Sequence, residues 1–303
     1  MLPSYILIKM KTNTIKLQHY VPRFYLKNFA KVSNSNHLID CFDKYTNNQF
    51  NTDVMNIACE KFFYDTEHDI LQETEKSLAA IEGKFNESLS QLIKLRDISK
   101  ISIEDRYFIS MFIAIQSIRT KEEREMLKDT INQLVERLSK EKLSLQLTKE
   151  IKDAQTDESI KEMQIRLLND APKLAEIIYQ MKWIISINRT KTPFWTSDNP
   201  IALHNEIDHS PYGNLVLKCT GIELHIPLTP NLLLITCDPI TFCNEPNKKI
   251  LRDFRYIIRE QNYQIRSSTR FLFSNQPNFY FAKTLIEENP RYKDPNRKRI
   301  SVN

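Results

Sequence analysis

Three glycines in 303 residues narrow what this chain can build. A loop that cradles phosphate needs glycine so that its backbone can approach the ligand closely, and neither GxxxxGK[ST] nor GxGxxG occurs here. That weighs against a P-loop nucleotidase and against a dinucleotide-binding oxidoreductase. The apolar share of 41% and the charged share of 27% are those of a globular protein rather than a disordered one.

The hydrophobic period then divides the chain. HLIDCFD at 37–43 reads as a short strand within an irregular stretch over 15–65 that FFYD at 62–65 closes. Residues 67–97 place Leu71, Leu78, Ile81, Phe85, Leu89 and Leu92 at helical steps. A second helix opens at Ser102, with Asp105 three places on as a capping-box-like start. Its charged continuation, to about 143, reads as a projecting or solvated stretch, 145–157 as a break, and about 158–182 as a third helix kinked near Pro172. From 182 the pattern changes to short β-type runs: KWIISIN, FWTSD, IELHIPL and LLLITCD. Helical spacing returns over 251–268, and RFLFS at 270–274 adds a strand. Helices followed by strands predict an α+β fold: long antiparallel helices packed on a small, mainly antiparallel sheet. We expect a single domain over 1–303, with a helical arm at about 100–157 and a basic tail at about 287–303.

The net charge of +5 is too weak to establish a polyanion partner. RYKDPNRKR, at 291–299, concentrates five basic side chains against one Asp, as a solvated tail or a phosphate-backbone contact. Five cysteines without a CxxC pair suggest neither a disulfide framework nor a zinc ribbon. The start, MLPSYILIK, shows no cleavage site, and FISMFIAIQSI is an interrupted, amphipathic window rather than a membrane span. The expectation is a reduced, cytoplasmic, soluble protein.

Polar residues on apolar faces are the informative feature. Glu75 and Glu82 point within about 60° of Leu78 on the first helix, and Gln116 and Arg119 share the face of Phe112 and Ile115 on the second. A guanidinium cannot shed its proton, so a buried Arg119 must be paired. It bridges to Glu75 or Glu82 between packed helices, or these groups edge a polar pocket, or the helical phase drifts and they face solvent. In TSDNP (196–200), Asp198 either accepts backbone N–H bonds in a turn or projects from a strand end as base, metal ligand or ribose contact. Ser197 lacks the GxSxG context of a nucleophile. His19, in QHYVPRFYLKNFA (18–30), is either a hydrogen-bonded structural residue or an acid/base group.

QHYVPRFYLKNFA, IACEKFFYD, ETEKSLAAIE, IQSIRT, FWTSDNP and HIPLTP, in this order over about 17–275, resemble the bacterial domain-of-unknown-function family 4238, the HYVP and SDNP segments most specifically. The resemblance implies no activity, substrate or cofactor. It implies that His19, Glu60, Glu75, Glu82, Arg119 and Asp198 occupy motif positions, whereas the arm over 120–157 and the tail depart from the pattern.

One reading is then a hydrolase or nuclease acting on a phosphodiester or nucleotide, of the kind used in phage defence. His19 would be the acid or base, Arg119 would stabilise phosphate charge, and Asp198 with Glu82 would orient water or a divalent ion. Gln18, Gln116, Ser197 and Asn199 would contact substrate beside a carboxylate cluster of Glu60, Glu75 and Glu82. A second reading is a non-catalytic ligand- or protein-binding module whose polar centre is a structural ion network. A third is an interaction scaffold that forms homo-oligomers through the helical arm.

Overall fold

The computed structural model describes residues 14–138, 145–207, 209 and 215–299. The N-terminal run MLPSYILIK, the stretch 139–143 of the charged continuation and the last residues of the tail lie outside them. The chain opens with β1 (Leu17–His19), α1 (Arg23–Leu26), β2 (Lys31–Ser33), β3 (Asn36–Asp43), β4 (Asn48–Asp53) and β5 (Cys59–Lys61). The helices α2 (Glu73–Leu95), α3 (Ile103–Ile118), α4 (Lys121–Leu138), α5 (Leu145–Ala154), α6 (Asp157–Leu168) and α7 (Ala171–Gln180) follow. Then come β6 (Lys182–Asn188), β7 (Thr196–Ser197), β8 (Ala202–Asn205), β9 (Ile222–Thr229), β10 (Leu232–Cys237), β11 (Lys248–Leu251), α8 (Phe254–Ser267), β12 (Phe271–Ser274) and α9 (Tyr280–Glu288). The class is α+β.

The sheet component is larger than one small sheet. Among the described residues there are a five-stranded sheet ordered β11-β6-β10-β9-β8, a second five-stranded sheet, and the pair β1-β5. In the first sheet β11 runs parallel to β6 and the other pairs are antiparallel. Its inner strands are mostly apolar and buried along nearly their whole length because both faces are covered. Ile185, Ile187 and Leu234 join the large core shared with α2, α3 and α7, while Ile184, Leu233 and Ile235 pack with Ile257 of α8. In the second sheet β3 pairs with β4 on one edge and with β2 and then β12 on the other, and β12 carries β7. Cys41 and Phe273 face the large core, and Phe42 and Leu272 face a smaller one built with Trp195, Phe279 and Ile265 of α8. Helix α8 therefore touches both sheets.

The helix limits follow from caps. Helix α2 starts at Glu73, not 67, because Asp69 accepts the N–H groups of Glu73 (2.6 Å) and Thr74 (3.0 Å). Leu71 consequently stands outside the helix and is exposed, and the buried seam is Leu78, Phe85, Leu89 and Leu92. Ser102 caps α3 through the N–H of Asp105 at 2.9 Å. Residues 145–154 form α5 rather than a break, and the third helix is two, with Pro172 in the first turn of α7, where its missing N–H costs nothing. Within 100–157, α3 is buried along almost its whole second half, whereas α4 has no buried residue.

A glycine-poor chain must place other residues in the left-handed region. Among the described residues Asn34, Ser35, Asn47, Ala58, Phe62, Gln72 and Arg96 have positive φ. Ala58 (φ 54°) and Phe62 (φ 55°) flank β5 on either side. Each such residue costs about 1–2 kcal/mol, which surrounding contacts must offset.

The C-terminal strap docks. Glu122, in the first turn of α4, accepts from Arg297 (2.6 Å), Arg299 (2.9 Å) and the Thr269 hydroxyl (2.8 Å), and the two arginine side chains are 9% and 6% exposed. Glu122→Ala leaves two nearly buried cations without their carboxylate. Loss of about 3–5 kcal/mol in urea-unfolding free energy is expected; a change below 1 kcal/mol would mean that the strap is not held by this contact.

Candidate functional site

The residues singled out by sequence separate into two structural clamps and a cavity between them. The first clamp is Arg119, whose side chain is 3% exposed. Its guanidinium donates to Glu82 (2.9 Å), to the Tyr64 hydroxyl (3.0 Å) and to the backbone carbonyl of His19 (2.6 Å). It thus grips the main chain of His19, not the imidazole. Gln116 donates to the carbonyl of Tyr20 (2.9 Å), and Gln18 donates to Asp65 (2.5 Å) while accepting the Tyr64 N–H (2.7 Å). Glu75 lies in the same field. Burial pushes its carboxyl up to about 6, against the opposing charge of Arg119. The His19 imidazole is pushed down to about 4, by burial first and then by the charges of Arg23 and Arg119, and its buried Nε2 has no hydrogen-bond partner among the described residues.

The second clamp is Asp198, which is 1% exposed. Its carboxylate accepts the backbone N–H groups of Thr269 (2.8 Å), Arg270 (2.7 Å) and Phe271 (2.9 Å), fixing the entry into β12. Burial raises its carboxyl above the ordinary range, against the charge of Lys44 and those backbone bonds. Lys44, fully buried, donates to the carbonyls of Ile265 (2.8 Å) and Ser268 (2.7 Å) at the end of α8, and burial, then the charge of Arg297, brings its ammonium down to about 7. Ser197 lies 2.8 Å from Gln264 Oε1, and Asn199 donates to Ser267 O (3.0 Å). These residues seat the TSDNP turn on α8.

Between the clamps lies a cavity of about 390 Å³, walled by β5, the start of α4, the 198 turn, the 269–271 segment and Pro295–Asn296 of the strap. Of the residues expected to share one pocket, Glu60 and Asp198 line it; His19, Gln18, Gln116, Glu75, Glu82, Arg119, Ser197 and Asn199 do not. The expected gathering of imidazole, guanidinium and acids is therefore split. The physical reason is that Arg119 and Asp198 each spend their bonding capacity on backbone groups or on fixed partners. Among the described residues no group of three or more His, Cys, Asp or Glu is placed to hold a metal ion.

Sequence reasoning missed the residues that do face the cavity. Lys121 is paired with Glu60, and Arg270 is bound to Asp43 at 2.9 and 2.6 Å. Tyr20, 3% exposed, packs its ring 5.0 Å from Phe63 and lines the cavity. Burial, with the carboxylates of Asp198 and Glu60, raises its phenol well above the ordinary range, and its hydroxyl has no partner among the described residues. A tyrosine followed by Val-Pro carried no visible polarity signal. Also missed was His225, whose Nδ1 lies 2.8 Å from Glu260, both nearly fully buried between β9 and α8.

A family model described as "Protein of unknown function (DUF4238)" matches residues 17–286. No curated protein and no solved structure matches the chain.

The His19 imidazole gives a signed pH prediction. Its unfolded value is near 6.5 and its folded value about 4, so between these the unfolded chain binds the extra proton and stability falls as pH drops. The loss from this group approaches about 3 kcal/mol. Glu75, raised to about 6, works in the opposite sense below that pH. The difference in unfolding free energy between the wild type and His19→Gln should therefore shrink as pH falls from 7 to 4; a difference independent of pH would show that the imidazole is not held neutral.

Proposed function

Since this chain belongs to the DUF4238 family, whose description assigns no activity, we propose a function from geometry alone: it is a ligand-binding module whose pocket is the cavity at Tyr20, framed by ion networks that serve structure. The observation that carries this reading is the Tyr20 hydroxyl, the polar end of a nearly buried side chain that stands unbonded against a cavity of about 390 Å³, a volume in the range of small-molecule sites. The Tyr20 oxygen is not sealed off from that space, whereas hydroxyls closed into the interior find protein partners. Tyr25 is the internal comparison: its hydroxyl reaches Thr196 Oγ1 (3.0 Å) and Pro227 O (2.5 Å).

The phosphodiester hydrolase reading, with its place in phage defence, asks for a base and a free cation facing one substrate. Arg119 is saturated, the His19 imidazole does not line the cavity, and both cations that do line it are engaged by carboxylates. The geometry therefore favours binding over phosphodiester cleavage.

Two measurements test the reading. Tyr20→Phe should leave the urea-unfolding free energy of the free protein unchanged, whereas Tyr25→Phe should lower it by about 0.5–1.5 kcal/mol; an equal loss at Tyr20 would make its hydroxyl structural. Incubation with single-stranded RNA, single-stranded DNA or a cyclic dinucleotide, with Mg²⁺ or Mn²⁺, should give no cleavage. Cleavage abolished by His19→Ala or Asp198→Asn would reinstate the hydrolase.

A further inference from the structure

The charge balance of the cavity says what it should take, provided that the ligand-binding reading holds. Its ionisable lining is Glu60, Glu125 and Asp198 against Lys121 and Arg270, with the Cys59 thiol pushed up to about 11 by burial and by Glu60. Neither cation is free. Lys121 is bound to Glu60, and the Arg270 guanidinium is held in two-point fashion by Asp43, which stands behind the wall. Asp198 already accepts three backbone N–H groups and has Lys44 as its electrostatic neighbour. That leaves Glu125. It sits half-buried on α4, one turn beyond Lys121, and has no hydrogen bond or ion pair among the described residues. The charges of Arg124 and Lys128 act on it through space, but Arg124 spends its hydrogen bonds on Gln164 (2.8 Å) and the Phe63 carbonyl (2.8 Å), and Lys128 on Asp157 (2.8 Å).

The free groups of the cavity are thus one carboxylate, the Tyr20 hydroxyl and, at its exposed rim, the side chains of Asn56 and of Asn296 on the strap, which have no partner among the described residues. The hydroxyl is the independent sign of a ligand, since it belongs to a residue that is only 3% exposed and lines this space. An anion would meet a surplus of negative charge and no available cation. A neutral polyol would satisfy the hydroxyl and the amides but bring the carboxylate no charged donor. A protonated amine supplies both the charge and the donors, and a charge-assisted bond to a carboxylate is the stronger kind.

We propose that the cavity at Tyr20 binds a small hydroxyl-bearing organic ammonium, with Glu125 pairing the ammonium, and with Tyr20 and Asn296 bonding the polar body of the ligand. The strap is then part of the binding site, because Asn296 reaches the cavity only while Arg297 and Arg299 hold the strap on Glu122.

The test is a thermal-shift and calorimetric titration of the full chain with matched probes: ethanolamine against ethylene glycol, glucosamine against glucose, and AMP as the anion. The amines should raise the melting temperature in a dose-dependent way, at least tenfold more potently than their neutral partners or AMP, and the advantage should shrink with added NaCl. Glu125→Gln should weaken amine binding at least tenfold while leaving the melting temperature of the free protein in place, because the carboxylate makes no internal bond. If glucose, ethylene glycol or AMP binds as well as the amines, or Glu125→Gln changes nothing, the ammonium assignment is wrong and the pocket reading survives. If the amines and a broad fragment library all fail to shift a protein whose Tyr20→Phe form is also less stable, the pocket reading falls as well.

Discussion

Arg119 is the constraint around which the N-terminal half is arranged. One guanidinium collects an acceptor from each of three segments: Glu82 from α2, the Tyr64 hydroxyl from the turn after β5, and the His19 carbonyl from β1. Desolvating a guanidinium costs several kcal/mol, and only fixed, well-directed acceptors offset it. The three segments must therefore arrive together. The β1-β5 pair, three residues on each side, is too short to persist alone, and the clamp holds its inner end against α3. The positive φ at Ala58 and Phe62, on either side of β5, is the backbone cost of that placement.

Asp198 performs the matching operation in the C-terminal half, with the polarity reversed. There a buried carboxylate collects three main-chain N–H groups that the short β7-β12 pairing leaves without strand partners. Both clamps spend a charge on the backbone; Arg119 stands outside the cavity, and Asp198 lines it with three backbone N–H groups already bound. Where the ions of the wall already have partners, the groups left without a bond, Tyr20 and Glu125 above all, determine what the pocket recognises.

The legibility of all this in the sequence was uneven, for physical reasons. Strands β6, β9 and β10 and helix α3 were visible because they are buried on more than one side and their apolar residues run nearly unbroken. β4, with the sequence NQFNTD, lies exposed along the edge of β3 and has no apolar alternation to read. β1, β5 and β7 are two or three residues long and exist through their partners, not through a period of their own. The awkward placing of Glu82 and Arg119 on apolar faces correctly indicated a pair. It could not indicate that the third partner would be the carbonyl of His19, since main-chain acceptors leave no trace in residue identity. Tyr20 and Glu125 were invisible for the opposite reason: a tyrosine among aromatics and a glutamate on a charged helix look like core and solvent respectively, until the fold turns both toward one space.

The strap extends this logic to contacts between distant parts of the chain. The cavity's outer wall, Pro295 and Asn296, comes from the end of the chain, while its inner wall comes from Tyr20 and β5 near the beginning. Contacts separated by more than 170 residues, such as Arg297 and Arg299 with Glu122, carry a large loop-closure cost before they yield any energy. The strap's contacts draw on separate elements, for Glu122 is presented by α4 and Arg297 also bonds carbonyls at the end of α8, Arg266 O (3.2 Å) and Ser268 O (3.0 Å). The site is therefore closed by a segment in which Arg297 and Arg299, read in the sequence as part of a solvated tail or a phosphate contact, are the counter-charge of one half-buried glutamate.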